Sequence, residues 1–169
     1  KETANATSTN IKFKLQFSEY SDFSQGVNDV VEIGGCTPNS LWCYADGGGA
    51  DNGVITANVL SDSDVCSGGV GNGCGTHNES GTSASTFTHK HSSAVEYEFT
   101  IKHAGARANA AYFFRLVNVA GNKVVPLNIG EAYPSLSTGG AALTFTISGV
   151  PAASSTEGIT TDAATTPSG

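Results

Sequence analysis

The sequence predicts an all-β fold, a sandwich of short strands stapled by disulfides. Three observations carry this expectation. Several stretches alternate apolar and polar residues with a period of two, the signature of strands with one buried face. The chain holds 21 Gly, 19 Ser and 18 Thr among 169 residues, a composition suited to strands and turns and poor for helices. Four cysteines, an even number, sit inside glycine-rich segments, as staples would.

The elements follow in order. Residues 1–10 are polar, without periodicity, and read as an arm. In the segment 11–17, Ile11, Phe13, Leu15 and Phe17 point one way and Lys12, Lys14 and Gln16 the other, which predicts a strand. Residues 27–33 form a second candidate. Residues 34–84 hold 12 of the 21 glycines and all four cysteines. They read as long loops on the scaffold, with GVITANVL at 53–60 as a strand-like run. Residues 95–103 place Val95, Tyr97, Phe99 and Ile101 on one face, and Glu96, Glu98, Thr100 and Lys102 on the other. AYFFRLVNV at 111–119 is apolar on both faces, as a central strand is. Pro126 marks KVVPLNI at 123–129 as an edge or broken strand. Leu143, Phe145 and Ile147 give the last inward-facing set, and residues 106–111 suit a helical turn. Residues 151–169 are rich in Ser, Thr, Ala and Pro and read as a linker or glycosylated stalk, leaving one domain at 11–150.

Composition excludes several classes of function. No apolar run approaches the roughly 18 to 20 residues of a membrane-spanning helix. A net charge of −7 argues against a nucleic-acid partner. Between Lys14 and Lys90 there are nine acids and no Lys or Arg. That block reads as a solvated acidic face, or as a surface that meets cations or the basic end of a second copy. A chain opening at Lys1 reads as a processed product or an excised piece.

Cys36, Cys43, Cys66 and Cys74 lack C-x-x-C spacing, which argues against a zinc ribbon or a redox pair. Of the three possible connectivities, Cys36–Cys43 with Cys66–Cys74 closes the shortest loops and is favoured. Disulfides imply an oxidising compartment, hence a secreted or cell-surface protein. Sequons at Asn5 and Asn78 agree with that location and are candidate glycosylation sites.

The sequence offers no catalytic residue and no metal site. His89 and His91 share one strand face, yet no third ligand accompanies them. No G-x-S-x-G elbow is present, and Glu96 and Glu98 lie two apart on what reads as a solvent face. No cofactor is expected, a structural calcium on Asp46, Asp51, Asn52, Asp62 and Asp64 being the single candidate. Trp42 and Tyr44 admit two readings: a platform that stacks on a saccharide, or a plug over the core.

The stretch 109–127 resembles the late strand and hairpin of fibronectin type III-like modules, with Tyr112, Phe114, Arg115, Leu116 and Gly121 at matching positions. The likeness covers residues 11–150, and that span also looks similar to a module repeated in large secreted bacterial proteins. It implies an immunoglobulin/fibronectin III-like β-sandwich and an extracellular location, and it carries no catalytic residues. The disulfide-stapled, Gly-rich insertion at 34–84 departs from the usual pattern. The function expected is a structural subunit of an extracellular filament or surface layer, a homopolymer built by strand exchange. Residues 1–17 are the donor, with Ile11, Phe13, Leu15 and Phe17 filling the neighbour's groove, and the tail at 156–166 is a weaker candidate. The alternative is a carbohydrate-binding or adhesion module that meets surface polysaccharide through Trp42 and Tyr44.

Overall fold

Ten strands and almost no helix make up a computed structural model that describes residues 9–55, 73–82, 89, 94–127 and 129–138. The strands are β1 (Phe13–Ser18), β2 (Asn28–Asp29), β3 (Trp42–Tyr44), β4 (Val54–Ile55), β5 (Gly75–Asn78), β6 (Glu96–Phe99), β7 (Ile101–His103), β8 (Ala111–Asn118), β9 (Lys123–Val124) and β10 (Ser135–Ser137). The expected all-β class is what the described residues show. No helix among them is long and apolar enough to cross a membrane.

β8 is the centre of a five-stranded sheet. One edge pairs antiparallel with β1 over six residues, from Phe13 opposite Asn118 to Ser18 opposite Phe113. The other edge is shared, β10 pairing with its first residues and β9 with its last two. Its two-sided apolar character follows from this position. Tyr112 and Phe114 are buried on one face and Val117 on the other. β9 is exposed, as Pro126 implied.

β6 and β7 are two halves of one extended run, interrupted at Thr100. β3 pairs antiparallel with β7, and β5 pairs parallel with β6. Both lie on the same side of that run. Thr100 donates its N–H to the Asn78 carbonyl and accepts from the Ala45 N–H, so the C-terminal ends of β5 and β3 meet there. The segment 28–31 changes partners: Asn28 and Asp29 pair with β1, while Val31 bridges to Cys43 of β3. It ties the two sheets at one corner.

The core lies between these sheets. Phe17, Tyr112, Phe114 and Leu136 from the large sheet pack with Val30, Trp42 and Tyr44. Trp42 meets Tyr112 and Phe114 edge-on at 5.5 and 5.1 Å between ring centroids. Such contacts add to what area burial alone contributes. The opposite face of the large sheet is covered locally. Arg115 stacks 4.3 Å over the Phe23 ring and donates to Gln16 Oε1, and Tyr133 meets Phe23 edge-on.

Three expectations are corrected. Residues 27–33 form only the two-residue β2 and a bridge, followed by a single 3-10 turn at Ile33–Gly35. In 106–111, expected to form a helical turn, only Ala108 and Asn109 lie in a turn, with Asn109 at φ 55°, and Ala111 already begins β8. Glu96 is buried at 5% exposure, where alternation placed it toward solvent. The 34–84 region, expected to hold a short strand or two, supplies β3, β4 and β5, with β4 inside the expected strand-like run at 53–60, and Trp42 and Tyr44 of β3 lie in the main core. The last expected strand, at 143–149, and the tail at 151–169 lie outside the described residues.

Candidate functional site

A group of ionisable side chains forms where β5 and β3 meet. Side chains alternate along β5, so His77 projects from the face opposite Thr76 and Asn78. The parallel register sets His77 opposite Glu98 of β6. His77 Nδ1 lies 3.0 Å from Glu98 Oε2, and Nε2 lies 2.8 Å from Glu79 Oε1. His77 is 8% and Glu79 5% exposed, whereas the Glu98 side chain is about half exposed.

The loop after β3 closes over this group. Gly47 donates its N–H to Glu79 Oε1 at 2.9 Å. A Cβ on Gly47 would stand 2.7 Å from Thr100 Oγ1, so the close approach requires glycine. Asp51 Oδ1 accepts the N–H groups of Glu79 and Ser80, and Asp51 Oδ2 accepts the Ser80 hydroxyl. Gly53 accepts the His77 N–H, and Gly49 lies over the His77 ring, where a Cβ would be 3.5 Å from Cδ2.

The electrostatics follow from these contacts. Burial disfavours the charged His77 ring, but hydrogen bonds and charges from Glu79 and Glu98 outweigh it and hold its pKa above the ordinary 6.5. The His77 hydrogen bond and the Gly47 N–H keep Glu79 below its ordinary value. Burial pushes Asp51 upward, but the donors from Glu79 and Ser80 outweigh it and leave Asp51 lowered. The arrangement suits an imidazolium cross-linking two carboxylates. Both ring nitrogens are engaged, so the ring offers no lone pair to a metal or a substrate.

Cys36 and Cys43 form a disulfide with Cα atoms 5.8 Å apart. Cys74 is also disulfide-bonded, and Cys66 lies outside the described residues. Trp42 and Tyr44 are each 1% exposed and serve the core, so they present no platform for a sugar. Phe13 and Phe17 are buried and Ile11 and Leu15 half-buried, and β1 already pairs with β8 and β2 of its own chain. The strand therefore fills its own sheet instead of projecting as a free donor.

Asn78 is fully buried, and its Nδ2 donates to the Thr76 and Glu98 carbonyls, so the folded chain does not present this amide for glycosylation. Asn5 lies outside the described residues, as do Asp62, Asp64 and His91. Of the remaining calcium candidates, Asp46 and Asn52 are exposed and Asp51 is occupied by backbone and hydroxyl donors. Among the described residues no three His, Cys, Asp or Glu side chains are grouped to hold a metal ion. His89 Nε2 meets the Tyr97 hydroxyl at 2.5 Å.

The sequence reading missed the His77 group. Its one local signal is the His-x-Glu spacing of His77 and Glu79, which puts both side chains on one face only if 77–79 is extended. Glu98 and Asp51 join through strand pairing and loop closure, which spacing does not reveal. No family model matches the chain, and neither the curated proteins nor the solved structures include a match.

Proposed function

We propose that the chain is a secreted structural module, an immunoglobulin/fibronectin III-like β-sandwich that polymerises into an extracellular filament or surface layer by exchanging β1 between copies. The observation that carries this reading is the six-residue ladder of β1 on β8, made by a strand next to the N-terminal arm. Phe13 and Phe17 are its buried anchors. A second copy's β1 presents the same groups to the same slot, so exchange needs no new surface. Because β1 already occupies that slot, the exchange is a swap and not an addition to an open groove.

Two further features support the reading. The Arg107 N–H donates to the Tyr112 hydroxyl at 2.9 Å, from five residues upstream and near the start of β8. This contact resembles the corner by which a tyrosine ties the approach to a strand in immunoglobulin-like sandwiches. The Cys36–Cys43 disulfide suits an oxidising compartment. The reading assigns no catalytic residue and no cofactor. The carbohydrate-binding alternative loses its proposed site with the burial of Trp42 and Tyr44.

Deletion of residues 1–18, with a synthetic peptide of residues 9–19 added in trans, tests the proposal. The full chain is expected to form polymers visible by negative-stain microscopy. The truncated chain is expected to stay unassembled and to bind the peptide. Filaments from the truncated chain, or a failure of the peptide to bind it, would overturn β1 exchange.

A further inference from the structure

We propose that His77 is the bolt of a pH-operated latch that fastens the glycine-rich loop 46–53 onto the β5–β6 pair. Nε2 faces Glu79 Oε1 at 2.8 Å and Nδ1 faces Glu98 Oε2 at 3.0 Å. A neutral imidazole has one N–H, so it can satisfy only one of these carboxylates and must turn a lone pair toward the other. The imidazolium donates to both. The closed geometry therefore belongs to the protonated ring, and loss of its proton replaces one attraction with a repulsion between lone pairs.

The loop is coupled to this event through Glu79. The same Oε1 that accepts from His77 also accepts the Gly47 N–H at 2.9 Å. When the ring is neutral, the Glu79 carboxylate loses the positive charge that offset it and keeps at most one neutral ring N–H beside the Gly47 donor and the charge of Asp51. The charged groups facing His77 are Glu79 at the end of β5 and Glu98 on β6, and Asp51 of the loop acts through Glu79. Gly49 covers the ring without contributing a charge. The neighbouring β4 residues, Val54 and Ile55, contribute none.

The sign follows from linkage. The folded ring binds its proton more tightly than the ordinary value of 6.5, so the latch is fully closed below that pH and releases as pH rises through the raised folded value. On the acid side it holds until Glu79 is protonated, below the ordinary 4.5 of a glutamate.

NMR hydrogen exchange on the full chain tests the proposal, with rates corrected for intrinsic exchange and the His77 ring titrated in the same samples. Protection at the Gly47 amide is expected to fall above pH 6.5, by up to about tenfold per pH unit, and to level off above the folded pKa. Glu98→Gln removes one of the two anions and is expected to make that fall smaller and level off at a lower pH, together with a lower ring titration. His77→Gln is expected to leave Gly47 weakly protected and independent of pH. A Gly47 profile that is flat in the native chain, or unmoved in Glu98→Gln, would overturn the latch, as would a pH-dependent profile that persists in His77→Gln.

Discussion

Tyr44 shows how one side chain can join two sheets. It is rooted in β3 and 1% exposed, and its hydroxyl accepts the Leu15 N–H of β1 at 2.8 Å. Burial raises its phenol to about 12; the Leu15 hydrogen bond opposes the rise, and the charges of Asp29 and Glu32 add to it. A neutral phenol is thus favoured by folding. Its contribution is complete below pH 10, the phenol's ordinary value, and is lost as pH climbs through about 12. Urea unfolding at successive pH values should show the native chain losing about 2–3 kcal/mol from this group. Tyr44→Phe should lack that portion of the decline. Tyr97, whose phenol burial also raises, titrates in both proteins, so the difference isolates Tyr44. At neutral pH the same variant should be weaker by about 1 kcal/mol, because the part-buried Leu15 N–H loses its acceptor. The charges nearer the surface do less. The Lys14–Asp29 pair and the Arg107–Glu19 pair are water-accessible and largely screened.

At the scale of elements, the short parallel pair of β5 and β6 matters most, because it sets the His77 register. Gly75 stands opposite Glu96, and a methyl group there would overlap the Glu96 carbonyl. Glycine is required at this point by close approach of two backbones. Gly75→Ala is expected to force the strands apart, costing at least about 1–3 kcal/mol in urea unfolding. The His77 ring titration in that variant should fall toward its ordinary value of 6.5 as the Glu98 contact is lost. An unchanged unfolding midpoint would refute the close packing. β1 and β8 were legible in sequence, because clean alternation and a two-sided apolar run are strong local signals. β3 and β10 were not, since Trp42–Tyr44 and Ser135–Ser137 are three residues each, too short for periodicity to register. β5 reads GTHN, with no apolar residue, and is a strand only because β4 and β6 supply its hydrogen bonds.

For the whole molecule, the Cys36–Cys43 disulfide anchors the loop before β3 to the core, since Cys43 is fully buried beside Trp42. It joins residues seven apart, and a loop of that size restricts the unfolded chain by about 2–3 kcal/mol. Replacing Cys36 and Cys43 together by serine should lower unfolding stability by at least that amount. Equal urea midpoints for the variant and the native chain would show the bond to be dispensable. Local chemistry written in the sequence determined that the fold is all-β, that β1 has one apolar face, that β8 is central and that β9 is an exposed edge. Those features depend on side chains a few residues apart. Tertiary structure alone decided that β3 enters the core, that Glu96 and Asn78 are buried, and that His77 is held between Glu79 and Glu98. Burial and strand register depend on which distant segments meet, and short polar strands such as β5 acquire their geometry from partners.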